Sequence, residues 1–216
     1  GGINDVNVNT ILNPLTNPDE IRSLCNDIEA PLKTVLVKLL NKCSNSKIIV
    51  TSYYPIVSND TSESALNLFA DVLKILDPNS IEARGFNIIK NIYGVNRTIY
   101  ILSNNSKIFD YQSRLSISKA IEQANQYSVS RFSEKRVAFA PVDFPSNRSY
   151  GTEESWLWEL TDPQTNNGNL TNDHKYIYRV SLCERTPCDP NDKINAIGHP
   201  NVEGANEYNR TIINNI

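Results

Sequence analysis

Lys47–Pro55 reads KIIVTSYYP, a run of apolar residues on which the expected architecture turns. Ile48, Ile49 and Val50 follow one another without polar alternation and run into a loop around Pro55, the pattern of a short strand buried on both faces. Upstream, Leu32, Val35, Leu36, Leu39, Leu40 and Cys43 recur at helical spacing after Pro31. Downstream, Asp60 and Glu63 resemble a capping box ahead of Leu66, Phe69, Ala70 and Leu73, which predicts a second amphipathic helix.

The same rhythm continues in both directions. Thr16, Asn17 and Pro18 open an earlier helix, with Asp19 and Glu20 in its first turn where the helix dipole favours negative charge. A long helix is predicted over Lys107–Tyr127, with Leu115, Ile117, Ala120, Ile121 and Ala124 facing inward. RVAFAPVDFP (Arg136–Pro145) reads as a second strand, while the apolar GFNIIKNIYG between Gly85 and Gly94 fits neither period cleanly. Asp162–Asp192 is polar and rich in Asn and Pro, a loop region with one strand at YIYRVSL, and a helix follows Pro200. Helices alternating with buried strands predict an α/β protein: a parallel sheet covered on both faces, one domain over residues 1–216. Ligands of such sheets sit beyond the carboxyl ends of the strands, where GGIND, TSYYP and APVDFP are expected to meet.

Composition narrows the function. The 216 residues carry a net charge of −3, which offers no basic face for nucleic acid. VLVKLL and the other apolar runs are too short to span a bilayer, and the first residues lack a signal-peptide pattern. Of the four cysteines, Cys183 and Cys188 bracket ERTP, so they form either a small disulfide loop or free thiols. Neither C-x-x-C nor H-x-x-x-H occurs, so no metal is expected. Sequons at Asn59, Asn96, Asn104, Asn147, Asn169 and Asn209 are what an Asn-rich chain also generates by chance. Compartment is left open, with an extracellular setting favoured.

GGIND at the start, IIVTSYYP in the middle and NAIGHPNVEGA near the end, in that order, resemble the later portion of the SGNH (GDSL-type) ester hydrolases. The resemblance implies a three-layer α/β/α, flavodoxin-like fold and a serine ester hydrolase working through an acyl-enzyme. It implies that His199 is the general base, that the side-chain amide of Asn4 stabilises the oxyanion, and that Asp5 holds the turn. The family places an aspartate three residues before the histidine; Ala196 stands there, so Asp192 and Asn195 are the candidates for orienting the imidazole. Gly2, Tyr53, Tyr54 and Trp156 are the candidate substrate contacts. The tyrosines either line an acyl pocket or cap the edge of the core, and Trp156 and Trp158 either wall the site or simply pack. His174 reads as an exposed loop histidine.

No G-D-S and no G-x-S-x-G occurs. The expectation is therefore a chain lacking the serine block and the first strands, inactive alone and prone to aggregate through open strand edges. The implied partner is a small-molecule, lipid or glycan ester, with no cofactor. The alternative is a non-catalytic relative that binds a glycan in the same cleft.

Overall fold

A computed structural model of the chain describes residues 8–43, 45–76, 81–161, 166, 167, 169, 171–185 and 197–215. In chain order the elements are α1 (Val8–Leu12), α2 (Pro18–Asn26), α3 (Glu29–Lys42), β1 (Ile48–Thr51), α4 (Glu63–Leu76), α5 (Ile81–Tyr93), α6 (Val95–Phe132), β2 (Val137–Ala140), a 3-10 turn (Ser146–Arg148), α7 (Tyr176–Arg185) and α8 (Val202–Ile213).

Local chemistry explains the helix starts. The Asn17 side chain accepts from Asp19 N at 2.9 Å with Pro18 in the first turn, and Asn201 accepts from Gly204 N at 3.0 Å to start α8. The helix expected after Pro200 thus begins at Val202, with Asn201 as its cap. At α4 the side-chain acceptor is Ser62, whose Oγ takes Ala65 N at 3.2 Å, while Asp60 instead accepts from Ser146 Oγ.

The expected three-layer α/β/α sheet is not the architecture. The described residues are mostly helical, and their sheet has two strands, β1 and β2, running parallel in the register Ile48↔Val137 to Thr51↔Ala140. GFNIIKNIYG falls largely within α5 and YIYRVSL lies in α7, where the Asp173 side chain accepts from Lys175 N at 3.0 Å and turns the chain into a helix. Among the described residues two runs are strand, and β1 is half-buried at all four positions rather than enclosed on both faces.

One face of the pair is well covered. Ile48, Val50, Val137 and Phe139 pack against Leu36 and Leu40 of α3 and Ile117, Ile121 and Ala124 of α6. Leu115, expected to face inward, is exposed. A second core gathers Ile11, Ile21, Cys25, Tyr54, Ile56, Leu66, Leu102, Phe109 and Phe144, and Leu32 and Tyr53 touch both cores. α6, 38 residues long, is the axis on which α1 to α5 and β2 all pack. Among the described residues, no helix is long and apolar enough to cross a membrane.

Candidate functional site

The site candidates are best followed from β1. Beyond Thr51, successive side chains turn to opposite sides of the chain, as an extended backbone requires. Tyr53 lays its ring against Phe109 of α6, with centroids 5.4 Å apart. Tyr54 goes the other way and stacks on Phe144, from the loop after β2, at 4.8 Å. Tyr208 of α8 meets Tyr54 edge-on and donates its hydroxyl to Ser52 O at 2.9 Å, which joins α8 to the end of β1.

The Tyr54 hydroxyl donates to Gly198 O at 2.7 Å. This bond fixes the turn that carries His199. Gly198 has φ +76°, in the left-handed region, and the chain then runs through His199 and Pro200 to the cap residue Asn201. The turn is also held from its other side: Gly198 N donates to Trp158 O at 3.0 Å, Trp158 N to His199 O at 2.9 Å, and Asn201 N to Trp156 O at 2.8 Å. Asn201 Nδ2 adds a bond to Ser155 O at 2.9 Å. Gly204 lies so close to Trp156 that a Cβ there would stand 2.4 Å from its carbonyl oxygen. The spacing of Gly198, His199, Asn201 and Gly204 thus has a geometric reason: each residue fits the turn and the start of α8 against segment 155–158.

His199 itself is exposed, and its imidazole has no hydrogen-bond partner among the described residues. Its backbone is held by these bonds while its ring is exposed. Burial pushes the Tyr54 and Tyr208 phenols far above their ordinary range, so both are neutral donors at any physiological pH.

Tyr54 is 5% exposed, so it supports the turn rather than lining an open pocket. Trp156 is partly buried, edge-on to Phe144 at 5.2 Å with the Arg148 guanidinium 5.2 Å over its ring. Trp158 meets His174, an exposed residue, edge-on at 5.3 Å. Gly2, Asn4, Asp192 and Asn195 lie outside the described residues, as does Cys188; Cys183 is disulfide-bonded, and Cys25 and Cys43 are free. Among the described residues, no cluster of three His, Cys, Asp or Glu side chains could hold a metal.

Two residues at this end of the strands were not singled out from the sequence. Arg114 of α6 holds Asp110 Oδ1 at 2.8 Å, the spacing of an i,i+4 pair, and donates Nη2 to Tyr53 O at 3.3 Å and Val142 O at 2.7 Å. An Asp four residues before an Arg in a predicted helix was readable; that the pair reaches two loops was not. A groove of about 700 Å³ lies elsewhere, lined by Ile121, Glu122, Asn125, Val129 and Lys135 among others. Asn125 bonds Arg136 N and both the N–H and C=O of Val137, which puts that groove at the amino end of β2, away from His199.

In comparisons with known proteins, no family model, curated protein or solved structure matches the chain.

Proposed function

We infer that this chain carries the histidine of a serine ester hydrolase with SGNH-type chemistry. The observation that carries the reading is the Tyr54 hydroxyl bond to Gly198 O, 2.7 Å, which holds an exposed histidine beside the carboxyl end of a parallel strand. The residues of GGIND and NAIGHPNVEGA, in the order that chemistry uses them, support it.

In this reading a serine hydroxyl attacks the ester carbonyl and His199 takes its proton. The Asn4 amide donates to the oxyanion, and Asn195 or Asp192 orients the imidazole. Collapse of the tetrahedral intermediate expels the alcohol, which receives the proton from His199, and leaves an acyl-serine. A water that gives its proton to His199 then attacks the acyl carbon. The acid departs and the serine regains its proton.

The reading requires a nucleophilic serine in a Gly-Asp-Ser setting, which these residues do not contain. Its test therefore uses the native protein from its source. The intact mass is expected to exceed 24.3 kDa, and the protein is expected to hydrolyse p-nitrophenyl acetate and to be labelled by a fluorophosphonate. His199→Ala in that protein is expected to slow hydrolysis by about 10²–10⁴-fold. A native mass of 24.3 kDa, with neither labelling nor turnover, would overturn the hydrolase and leave a ligand-binding role for the same turn.

A further inference from the structure

The strand pair is only four residues deep, Ile48–Thr51 against Val137–Ala140. Beyond it the two loops that support the His199 turn leave the ladder, yet both remain aligned. Part of the reason is direct: Val142 N donates to Ser52 Oγ at 2.9 Å. The rest comes from α6, where a single guanidinium reaches the carbonyls of Tyr53 and Val142 while its Nε is held by Asp110. A planar fork with several donors suits this task, because it can bind two acceptors and a carboxylate in one fixed geometry.

The two carbonyls matter because of what lies next to them. Tyr53 immediately precedes Tyr54, and Val142 lies two residues before Phe144; Tyr54 and Phe144 form the stacked pair whose hydroxyl holds Gly198. We propose that Arg114, oriented by Asp110, is the positioning residue for His199: it sets the distance between the two loops and so the seat of the histidine turn. Asp110 is held above the usual carboxylate range, chiefly by burial and further by Asp143, with Arg114 opposing both. The pair is thus partly withdrawn from water on both sides, unlike the exposed Asp19–Arg22 pair. The inference rests on the reading of His199 as the working residue.

Its test needs no activity. The chain is labelled with 13C in the imidazoles of its two histidines, and the His199 ring resonance and the hydrogen exchange of Gly198 N–H are followed in Arg114→Met, Arg114→Lys and Asp110→Asn. Arg136→Met is the control, since Arg136 is a buried arginine that donates to the Cys43 and Ser46 carbonyls at the opposite end of the strands. Arg114→Met is expected to shift the His199 resonance and speed Gly198 exchange about tenfold or more, with Arg114→Lys intermediate and Arg136→Met close to wild type at both probes. If Arg114→Met moves His199 no more than Arg136→Met does, the inference is overturned. Should Arg114→Met fail to fold, Asp110→Asn decides alone: a displaced His199 supports the positioning role, and an unmoved one ends it. A displaced His199 in a native protein that cleaves no ester would leave the positioning role standing and remove the hydrolase.

Discussion

At the scale of single residues, the two glycines around His199 carry different burdens, and substitution separates them. Gly198 sits at φ +76° with its nearest foreign atom 3.9 Å from where a Cβ would be, so Gly198→Ala is penalised by backbone conformation alone, about 1–2 kcal/mol. Gly204 is helical, where Ala would ordinarily gain about 1 kcal/mol, but the carbonyl of Trp156 blocks the methyl group. Gly204→Ala is expected to destabilise by about 1–3 kcal/mol in denaturant melts and, unlike Gly198→Ala, to alter tryptophan emission as α8 is pushed off segment 155–158. Glu159 supplies a pH signature. Its carboxyl is raised above the ordinary range by burial, only partly offset by bonds from Gly151 N at 2.6 Å and from Ser155. A carboxyl raised in the folded state binds its proton more tightly there than when unfolded, so its contribution to stability is fully present below about pH 4 and is lost as pH rises through the folded value. Glu159→Gln mimics the protonated form at every pH. Its stability is expected to match wild type at low pH and to equal or exceed it at pH 7, and a variant that loses ground as pH rises would contradict this account.

At the scale of elements, α6 departs furthest from an ordinary amphipathic helix. Its buried positions include Thr98, Ser103, Asn105, Ser106, Ser113, Ser116 and Ser128 beside Leu102, Phe109, Ile117 and Ala124. Packed on several sides, it presents no single polar face, and small hydroxylated residues let neighbouring segments approach while supplying bonds. Ser106 Oγ accepts from Val57 N at 3.2 Å, and Asn105 Nδ2 donates to the Ile11 and Asn13 carbonyls at 3.4 and 3.3 Å. Ser103 Oγ, by contrast, is buried without a partner among the described residues. Thermal melts of the two alanine variants should therefore diverge. Ser106→Ala leaves Val57 N unpaired in the core and is expected to destabilise by about 1–3 kcal/mol, whereas Ser103→Ala removes an unsatisfied hydroxyl and is expected to be neutral or stabilising. Equal losses in both would mean that the hydroxyls act only as volume.

At the scale of the whole molecule, Leu32 and Tyr53 belong to both cores, so the sheet-side cluster and the Tyr54 cluster share side chains. Helix loss followed at 222 nm and tryptophan emission from Trp156 and Trp158 are expected to give coincident midpoints, in contrast to the poorly folded chain anticipated from the sequence. Midpoints separated by more than a few degrees would show that the segment carrying the site melts on its own. Much of this organisation was written locally. Asn17-Pro18 starts α2, and IIVT and VAFA are strands because β-branched and small apolar residues run there without helical spacing. His199 sits in its turn because Gly198 and Asn201 flank it. Local rules failed where the outcome depends on distant partners. YIYRVSL alternates like a strand yet is helical, with Asp173 turning its start. Among the described residues the sheet has two strands, α3 and α6 cover one face of it, and apolar runs such as GFNIIKNIYG are helical instead. Nor could spacing show that Arg114 binds loops 61 and 28 residues away, or that Tyr54 holds Gly198 from 144 residues upstream. Local sequence sufficed for the start of α2, for the strands IIVT and VAFA and for the turn before α8, since these follow from torsional preference and nearest-neighbour hydrogen bonds. Which segments pair as strands, and that Tyr54 holds the Gly198 carbonyl, depended on tertiary contacts, because pairing and burial are settled between residues far apart in the chain.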